Sequence, residues 1–155
     1  MYLKKISPII ILPILFNILL SNELEKNKIL NIMVDHNYDL MDKKYSNLDT
    51  FFCFPFLYND QEEIKYASNV RELKKLLKKM RKKLPKNHSH KDWKKMNVKI
   101  LNESIALVNA MYSRVDKNNT NYFTGAAMYS FRKVDKKWKI FSITPFKPYD
   151  YFDFE

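Results

Sequence analysis

The chain has 155 residues, which is the length of one domain. Its apolar share of 46% excludes a fully disordered chain, its single cysteine excludes a disulfide framework, and its single glycine excludes glycine-rich phosphate loops. The net charge of +11 lies in one segment, because residues 69–99 hold 13 basic and 2 acidic side chains while the rest of the chain balances to zero.

The first 22 residues have the features of an export signal. Lys4 and Lys5 precede an apolar run of 15 residues at 6–20, which suits a signal peptide better than a spanning helix. We therefore expect residues 1–22 to be a signal peptide or a membrane anchor, and the protein to be periplasmic, secreted or membrane-associated. A further buried helix or a misassigned start is the alternative, which would leave the protein in the cytoplasm.

The first half of the remaining chain has mainly helical patterns. Apolar residues recur at helical spacing over 24–45 and again over 69–84, where Asn69 and Glu72 form a near capping box. Between them, the aromatic run at 51–58 predicts a buried strand in which Pro55 marks an edge or a bulge, and residues 62–67 predict a second short strand.

The second half has strand patterns. We predict strands at about 97–103, 104–116, 121–134 and 137–146, with turns at 116–121 and 135–136. Helices followed by an antiparallel meander indicate an α+β fold, in which the N-terminal helices pack on one face of a curved antiparallel sheet.

Four segments resemble one known superfamily in their order and spacing. They are ALV at 106–108 with YSR at 112–114, GAAMY at 125–129, DKKWKI at 135–140, and the aromatic strand at 51–58. The third resembles a characteristic D-G-x-W-x-I ending, with lysine in place of glycine. Together they resemble the nuclear transport factor 2-like superfamily, which includes SnoaL-like cyclases and ketosteroid isomerases.

The resemblance implies a cone-shaped domain over residues 24–147, with an internal pocket and a homodimer that forms through the sheet. Residues 148–155 then form an acidic, aromatic C-terminal tail. The resemblance does not imply a reaction, because this fold hosts enzymes, binding modules and assembly domains.

An enzyme of this fold needs a general base in the pocket. The predicted strands supply none, because residues 104–115, 117–134 and 136–149 contain no Asp, Glu or His. A base could come from the first helix, where His36 and Asp39 are three residues apart. The alternative is that both side chains face solvent.

Arg114 is the charged residue that we place at the mouth of the cavity. Strand alternation puts Ala106, Val108, Ala110 and Tyr112 on the same inward face. Arg114 could bind a ligand carboxylate, or it could pair with a nearby acid such as Asp116 or Asp135. The other candidate ligand-binding residues are aromatic: Tyr38, Tyr112, Tyr129 and Phe146.

We predict no metal site and no cofactor. His88, His90 and Asp92 fall in what reads as a polar loop, and Cys53 reads as a buried, inert thiol. The basic segment at 69–99 reads as a solvated helix face with one aromatic residue, so we expect no specific nucleic-acid binding. It could instead contact acidic lipids or the acidic tail.

Two functional classes follow. The first is a non-catalytic domain that binds a small apolar or anionic molecule or serves in assembly, which the strands without a base favour. The second is a SnoaL-like or isomerase-like enzyme that uses His36 and Asp39. The position of His36, lining the cavity or facing solvent, discriminates between them.

Overall fold

A computed structural model describes residues 8–154 of the chain, with side chains from residue 22 onward. The elements in chain order are α1 (Pro8–Met41), α2 (Leu48–Phe51), β1 (Phe52–Asn59), β2 (Ile64–Ala67), α3 (Val70–Lys82), β3 (His88–Ile100), β4 (Ile105–Asp116), β5 (Asn121–Val134) and β6 (Lys137–Phe146). A short 3₁₀ turn, Pro148–Asp150, follows β6. These elements form an α+β fold in which the helices pack on one curved sheet, as the sequence predicted.

The sheet has six strands in the order β2-β1-β6-β5-β4-β3. All neighbouring strands are antiparallel except β1 and β6, which are parallel. Of the two places predicted for Pro55, an edge or a bulge, the structure has the bulge, because β1 lies between β2 and β6 and its pairing with β6 is irregular between Phe52 and Leu57. The long strands β3, β4 and β5 form the wall on which the cavity described below is built.

Helix α1 is a single helix that ends at Met41, four residues before the expected end. Lys43 adopts a left-handed conformation with φ of 59°, which stops the helix. Ile29 and Met33 are fully buried against the sheet. Glu25 holds the helix to the β5–β6 hairpin, since its carboxylate accepts hydrogen bonds from Lys133 Nζ at 2.6 Å and from Trp138 Nε1 at 2.7 Å.

The signal or anchor expected at residues 1–22 falls, except for Asn22, outside the residues whose side chains are described. Its backbone is helical from Pro8 onward. Within the described part of the chain, no helix is long and apolar enough to cross a membrane.

Helix α3 begins as the sequence predicted. Asn69 Oδ1 accepts a hydrogen bond from the Glu72 backbone N–H at 3.1 Å, and the Glu72 carboxylate accepts one from the Ser68 N–H at 2.8 Å. These bonds cap the first turn and fix where the helix begins, although the Glu72 carboxylate reaches the N–H of Ser68, one residue before the N-cap Asn69, rather than the N–H of Asn69 as in a full capping box. Leu73 is fully buried, and Leu76 and Leu77 pack on the core beside it.

The strand expected at 97–103 begins much earlier, at His88, and ends at Ile100. Residues 88–92 are therefore not a loop, which corrects our reading of that segment. A bulge between Trp93 and Lys95 shifts the register of β3 against β4. The bulge breaks the period-two alternation of buried residues, and this is why the sequence pattern identified only the end of the strand.

The C-terminal tail lies against β3 and β4, on the face of the sheet that points away from the cavity. It makes polar contacts with side chains on that face. Asn109 Nδ2 donates a hydrogen bond to the Phe152 carbonyl, and Asp153 pairs with Lys95 at 2.5 Å and with Asn97 at 3.2 Å. The acidic tail thus contacts part of the basic segment. The homodimer through the sheet stays a prediction.

Candidate functional site

A cavity of about 180 Å³ lies between the sheet and the ends of α1 and α3. Because both helices turn their apolar faces toward the sheet, the cavity walls are mostly hydrophobic. The helices contribute Leu40, Met41, Leu77 and Met80, the segment after α3 contributes Leu84, and the sheet contributes Phe56, Tyr58, Tyr112, Ala127, Tyr129, Ile143 and Pro145. The cavity could therefore bury the apolar body of a ligand.

The charged groups of the cavity are all basic. Arg81 comes from α3, Lys91 from β3 and Arg114 from β4, and no Asp or Glu side chain is among the described residues that line it. Arg81 has a structural bond as well, since its Nη1 donates to the Leu40 carbonyl at 2.7 Å and ties α3 to the end of α1. Lys91 and Arg114 are the cations left to act on a ligand.

Arg114 lies on the cavity side of β4, as strand alternation predicted. Its guanidinium carbon is 4.7 Å from the centroid of the Phe123 ring and 5.8 Å from that of Tyr112. No described carboxylate lies within 4.0 Å of it, and Asp116 instead accepts hydrogen bonds from the turn that follows β4. The pairing with Asp116 or Asp135 that would make Arg114 a structural residue is thus not formed.

Lys91 lies directly opposite Arg114 across the β3–β4 ladder. Its Nζ is 3.8 Å from the centroid of the Trp93 ring, 5.3 Å from that of Tyr112 and 6.0 Å from that of Tyr129. Burial, and secondarily the charge of Arg114, lower the pKa of Lys91 from 10.5 to about 7. The amine therefore titrates near neutral pH, although the ring faces favour its charged form.

His36 lines the cavity and is 2% exposed. Its ring lies among aromatic rings, with centroid distances of 6.0 Å to both Phe52 and Tyr129. Burial and the charge of Lys91 lower the pKa of His36 to about 3, so the imidazole is neutral. Its Nδ1 lies 3.0 Å from the Ile32 carbonyl; a neutral ring must donate there, which leaves Nε2 with the free electron pair.

The expected pair of His36 and Asp39 does not form. The Asp39 carboxylate accepts a hydrogen bond from Asn47 Nδ2 at 3.1 Å, and Asp39 is not a lining residue. Three positions along a helix leave side chains about 60° apart around its axis, so His36 turns into the core while Asp39 stays at the surface. His36 is oriented by the backbone of its own helix and not by a carboxylate.

Of the four aromatic residues predicted to bind a ligand, two line the cavity and two do not. Tyr112 and Tyr129 line the cavity, and burial raises the pKa of both phenols, so they are protonated. Tyr38 is 60% exposed, and Phe146 is not among the lining residues, so neither belongs to this site. Tyr38 shares the general apolar stripe of α1 but falls on its outer edge, and Phe146 lies one position past the inward-facing Pro145.

The sequence pattern did not identify Lys91 and Arg81 as residues of the cavity. Both lie in the basic segment, which read as a solvated surface, and yet both turn into the cavity. A usable signal was present, because Lys91 and Trp93 are two residues apart and thus share one face of a strand. The lysine-rich composition around them concealed it.

The residues that the sequence offered as metal ligands or as a nucleophile have other roles in the structure. His88 Nδ1 lies 2.7 Å from the Tyr122 hydroxyl, and His90 Nε2 lies 3.4 Å from the Asp92 carboxylate. Among the described side chains, no group of three or more His, Cys, Asp or Glu residues could hold a metal ion. Burial raises the pKa of the Cys53 thiol, which disfavours the nucleophilic thiolate.

A curved sheet, helices across its concave face and a cavity between them define the class of cone-shaped nuclear transport factor 2-like proteins. A family model described as "NTF2-like protein (DUF6841)" matches residues 36–148. The chain belongs to this family, which confirms the resemblance found in the sequence.

Solved structures share the fold at low sequence identity. An NTF2-like protein from Novosphingobium aromaticivorans superposes with a TM-score of 0.68 at 11% identity, covering 84% of this chain and 86% of its own. A protein of unknown function from Nostoc punctiforme has a TM-score of 0.67 at 15% identity, with coverages of 79% and 90%. A candidate scytalone dehydratase from Novosphingobium aromaticivorans has a TM-score of 0.58 at 18% identity, with coverages of 81% and 85%.

None of the curated proteins matches this sequence. At these identities, the structural likeness establishes the fold alone, and the function has to be argued from the cavity.

Proposed function

We propose that this protein binds a small molecule with an apolar body and a carboxylate end in the cavity between its helices and its sheet. The observation that carries the proposal is the charge of the cavity, in which Lys91 and Arg114 face one another without an acid among the described lining residues. Two neighbouring cations without a counter-ion are costly to bury, and an anionic ligand would relieve that cost.

Arg114 is the group that would hold the carboxylate. A guanidinium presents two parallel N–H donors that match the two carboxylate oxygens, and its position over the Phe123 ring fixes its plane. No described carboxylate neutralises Arg114, whose guanidinium has a hydrogen bond with the Tyr112 side chain, so its charge is available to a ligand. Lys91 adds a second positive charge on the same face of the sheet.

The walls and the volume of the cavity restrict the body of the ligand. The aliphatic side chains of α1 and α3 and the rings of the sheet favour an apolar or aromatic group. An engineered cavity of about 150 Å³ accepts benzene. The cavity here, at about 180 Å³, is thus suited to one ring or a short aliphatic chain with the carboxylate at its end.

An isomerase-like or SnoaL-like enzyme is the second candidate. It is favoured by one observation, which is that His36 lines the same cavity with a free electron pair at Nε2, but the lowered pKa of about 3 makes this imidazole a weak base. Without Asp39, nothing described in the structure supports the imidazolium that proton transfer would create. We therefore place ligand binding first and base catalysis second.

The test is a calorimetric titration with three probes of similar size, namely benzoate, phenylpyruvate and the neutral benzamide. We expect the two carboxylates to bind and benzamide to bind far more weakly. Arg114→Met should weaken carboxylate binding by about 10–100-fold, which corresponds to the 1.5–3 kcal/mol of a charged hydrogen bond, and should leave the thermal midpoint unchanged.

Arg132→Met is the matched control, because Arg132 is an exposed residue of the same sheet whose guanidinium lies over the Phe141 ring and which is absent from the cavity. It should bind the probes as the parent does. Equal affinity for benzamide and benzoate would contradict the proposal, and so would a parent protein that binds no carboxylate.

A further inference from the structure

We propose that Lys91 is a nucleophile that forms an imine with the carbonyl group of a 2-oxo acid bound in the cavity. This inference rests on the proposed function, since it needs the carboxylate of the oxo acid to be held by Arg114. It goes beyond binding because it assigns a covalent step and a substrate class.

The register of the sheet places the two side chains next to each other, and both charged ends lie against one ring, with Lys91 Nζ 5.3 Å and the Arg114 guanidinium carbon 5.8 Å from the Tyr112 centroid. Lys91 and Arg114 are direct partners on β3 and β4, and side chains so paired have Cβ atoms about 4.5–5.5 Å apart on the same face. In a 2-oxo acid, the carbonyl carbon is bonded directly to the carboxylate carbon. In the proposed complex, a carboxylate held on the guanidinium of Arg114 directs the adjacent carbonyl toward the amine of Lys91.

The surroundings of Lys91 leave its amine free to react. No described carboxylate lies within 4.0 Å of Nζ, and no hydrogen bond from Nζ is formed among the described residues. Burial and the charge of Arg114 lower the pKa of Lys91 to about 7, so a large part of the amine is neutral at physiological pH. A desolvated lysine beside a second cation is a known way to activate an amine nucleophile.

The aromatic rings around Nζ would stabilise the product of the step, which is a protonated imine. The rings of Trp93, Tyr112 and Tyr129 surround the nitrogen at 3.8, 5.3 and 6.0 Å. A protonated imine carries a positive charge at that nitrogen, and these ring faces would stabilise it. The cavity is thus arranged for a cationic nitrogen that is covalently bound beside an anion.

The step needs no oxidant or reductant. The amine nitrogen adds to the carbonyl carbon, a C–N bond forms, and the carbonyl electron pair moves to oxygen, which takes a proton to give the carbinolamine. The nitrogen loses a proton, the hydroxyl is protonated, and the C–O bond breaks, so that one water leaves and the imine remains. The proton that the nitrogen loses balances the proton that the hydroxyl gains, so the step needs no protein base, and His36, whose pKa is lowered to about 3, stays neutral throughout.

The experiment traps the imine with sodium cyanoborohydride. The full chain is incubated at pH 7 with pyruvate or phenylpyruvate and the reductant, and its intact mass is followed with time. We expect one rapid addition equal to the mass of the oxo acid less one oxygen atom, and peptide mapping should place it on Lys91. Because the fraction of neutral amine is far larger at Lys91 than at an ordinary lysine, this labelling should be about tenfold faster or more.

Two variants and one probe complete the design. Lys91→Met should lose the rapid addition, whereas Lys94→Met, which removes an exposed lysine of the same strand, should keep it. Arg114→Met should slow the addition by about tenfold or more, because it removes the carboxylate anchor. Mapping also separates Lys91 from the N-terminal amine, whose ordinary pKa of about 8 makes it the main competing site.

Phenyllactate, which has the carboxylate and the ring but no oxo group, distinguishes the two possible failures. If it binds to the parent but neither oxo acid labels Lys91, the imine is overturned while the proposed binding function stands. If phenyllactate and the oxo acids all fail to bind, the proposed function falls as well. Labelling spread evenly over the surface lysines, or unchanged in folded Lys91→Met, also overturns the imine.

Discussion

Replacing Lys91 with methionine should stabilise the protein at neutral pH, and the gain should disappear as the pH rises. Lys91 lies in the cavity without a carboxylate partner, and burial lowers the pKa of its amine from 10.5 to about 7. Methionine has a similar length and carries no charge. The variant therefore removes the cost of placing a cation in the cavity and keeps most of the packing.

The size of the expected stabilisation follows from the pKa of Lys91 in the unfolded chain and its pKa in the folded protein. Each pKa unit corresponds to about 1.4 kcal/mol, so the change from 10.5 to about 7 sets an upper limit near 5 kcal/mol. Lys91 is only half-buried, and the rings around Nζ favour its charged form by about 1–2 kcal/mol. We therefore expect Lys91→Met to be more stable than the parent by about 2–4 kcal/mol below pH 7.

The pH dependence has a definite sign. Between about pH 7 and 10.5, the unfolded parent binds a proton at Lys91 that the folded parent does not, so the stability of the parent rises with pH. Below that window both states are protonated and the full cost is present. Above it both states are neutral, and the parent and the variant should have similar stabilities.

The other titratable and charged groups of the cavity do not interfere in this window. Burial lowers the pKa of His36 to about 3, lowers that of His88 and raises those of Tyr58, Tyr112 and Tyr129 above 10. The remaining titratable and charged residues that line the cavity, Tyr45, Arg81 and Arg114, are the same in the parent and the variant. The pH-dependent part of the difference between parent and variant thus reports on Lys91.

The assay is urea unfolding of the parent, Lys91→Met and Lys94→Met at pH 6, 7, 8, 9 and 10, with tryptophan fluorescence as the signal. Lys94→Met shows the effect of removing an exposed lysine from the same strand. The difference in unfolding free energy between the parent and Lys91→Met should shrink by about 2–4 kcal/mol from pH 6 to pH 10. Parallel stability curves over this range would refute a buried, destabilised Lys91.

Two further substitutions test the packing, the first in the hydrophobic core and the second beside the cavity. Trp138 is 3% exposed, so Trp138→Ala should lower the unfolding free energy by about 3–5 kcal/mol, and a melting temperature within a degree of the parent would show that the ring is not buried. A Cβ atom at Gly125 would meet the Tyr112 ring at 2.8 Å and the Phe123 ring at 2.7 Å, so Gly125→Ala should cost about 1–3 kcal/mol and alter carboxylate binding through the displaced Tyr112. Unchanged stability and unchanged binding in Gly125→Ala would show that these rings are free to move.

The sequence by itself determined the elements whose signals are local. Helix α3 begins at the capping residues Asn69 and Glu72, and the strands β4, β5 and β6 follow the alternation and the turns within a residue or two. The family could be identified for the same reason, since its motifs lie in these strands. Strand alternation also placed Arg114 on the cavity side, because β4 is regular from Ile105 up to that residue.

Only the tertiary structure decided which polar residues meet. The bulge between Trp93 and Lys95 concealed β3, so Lys91 read as one more surface lysine until β4 placed it opposite Arg114. His36 and Asp39 looked like a pair at helical spacing, yet the packing of α1 on the sheet buries the first and leaves the second at the surface. Local sequence patterns determine which residues share a face of a helix or strand. The environment of a charged side chain depends instead on the elements that pack against that face, and these elements are distant in the chain.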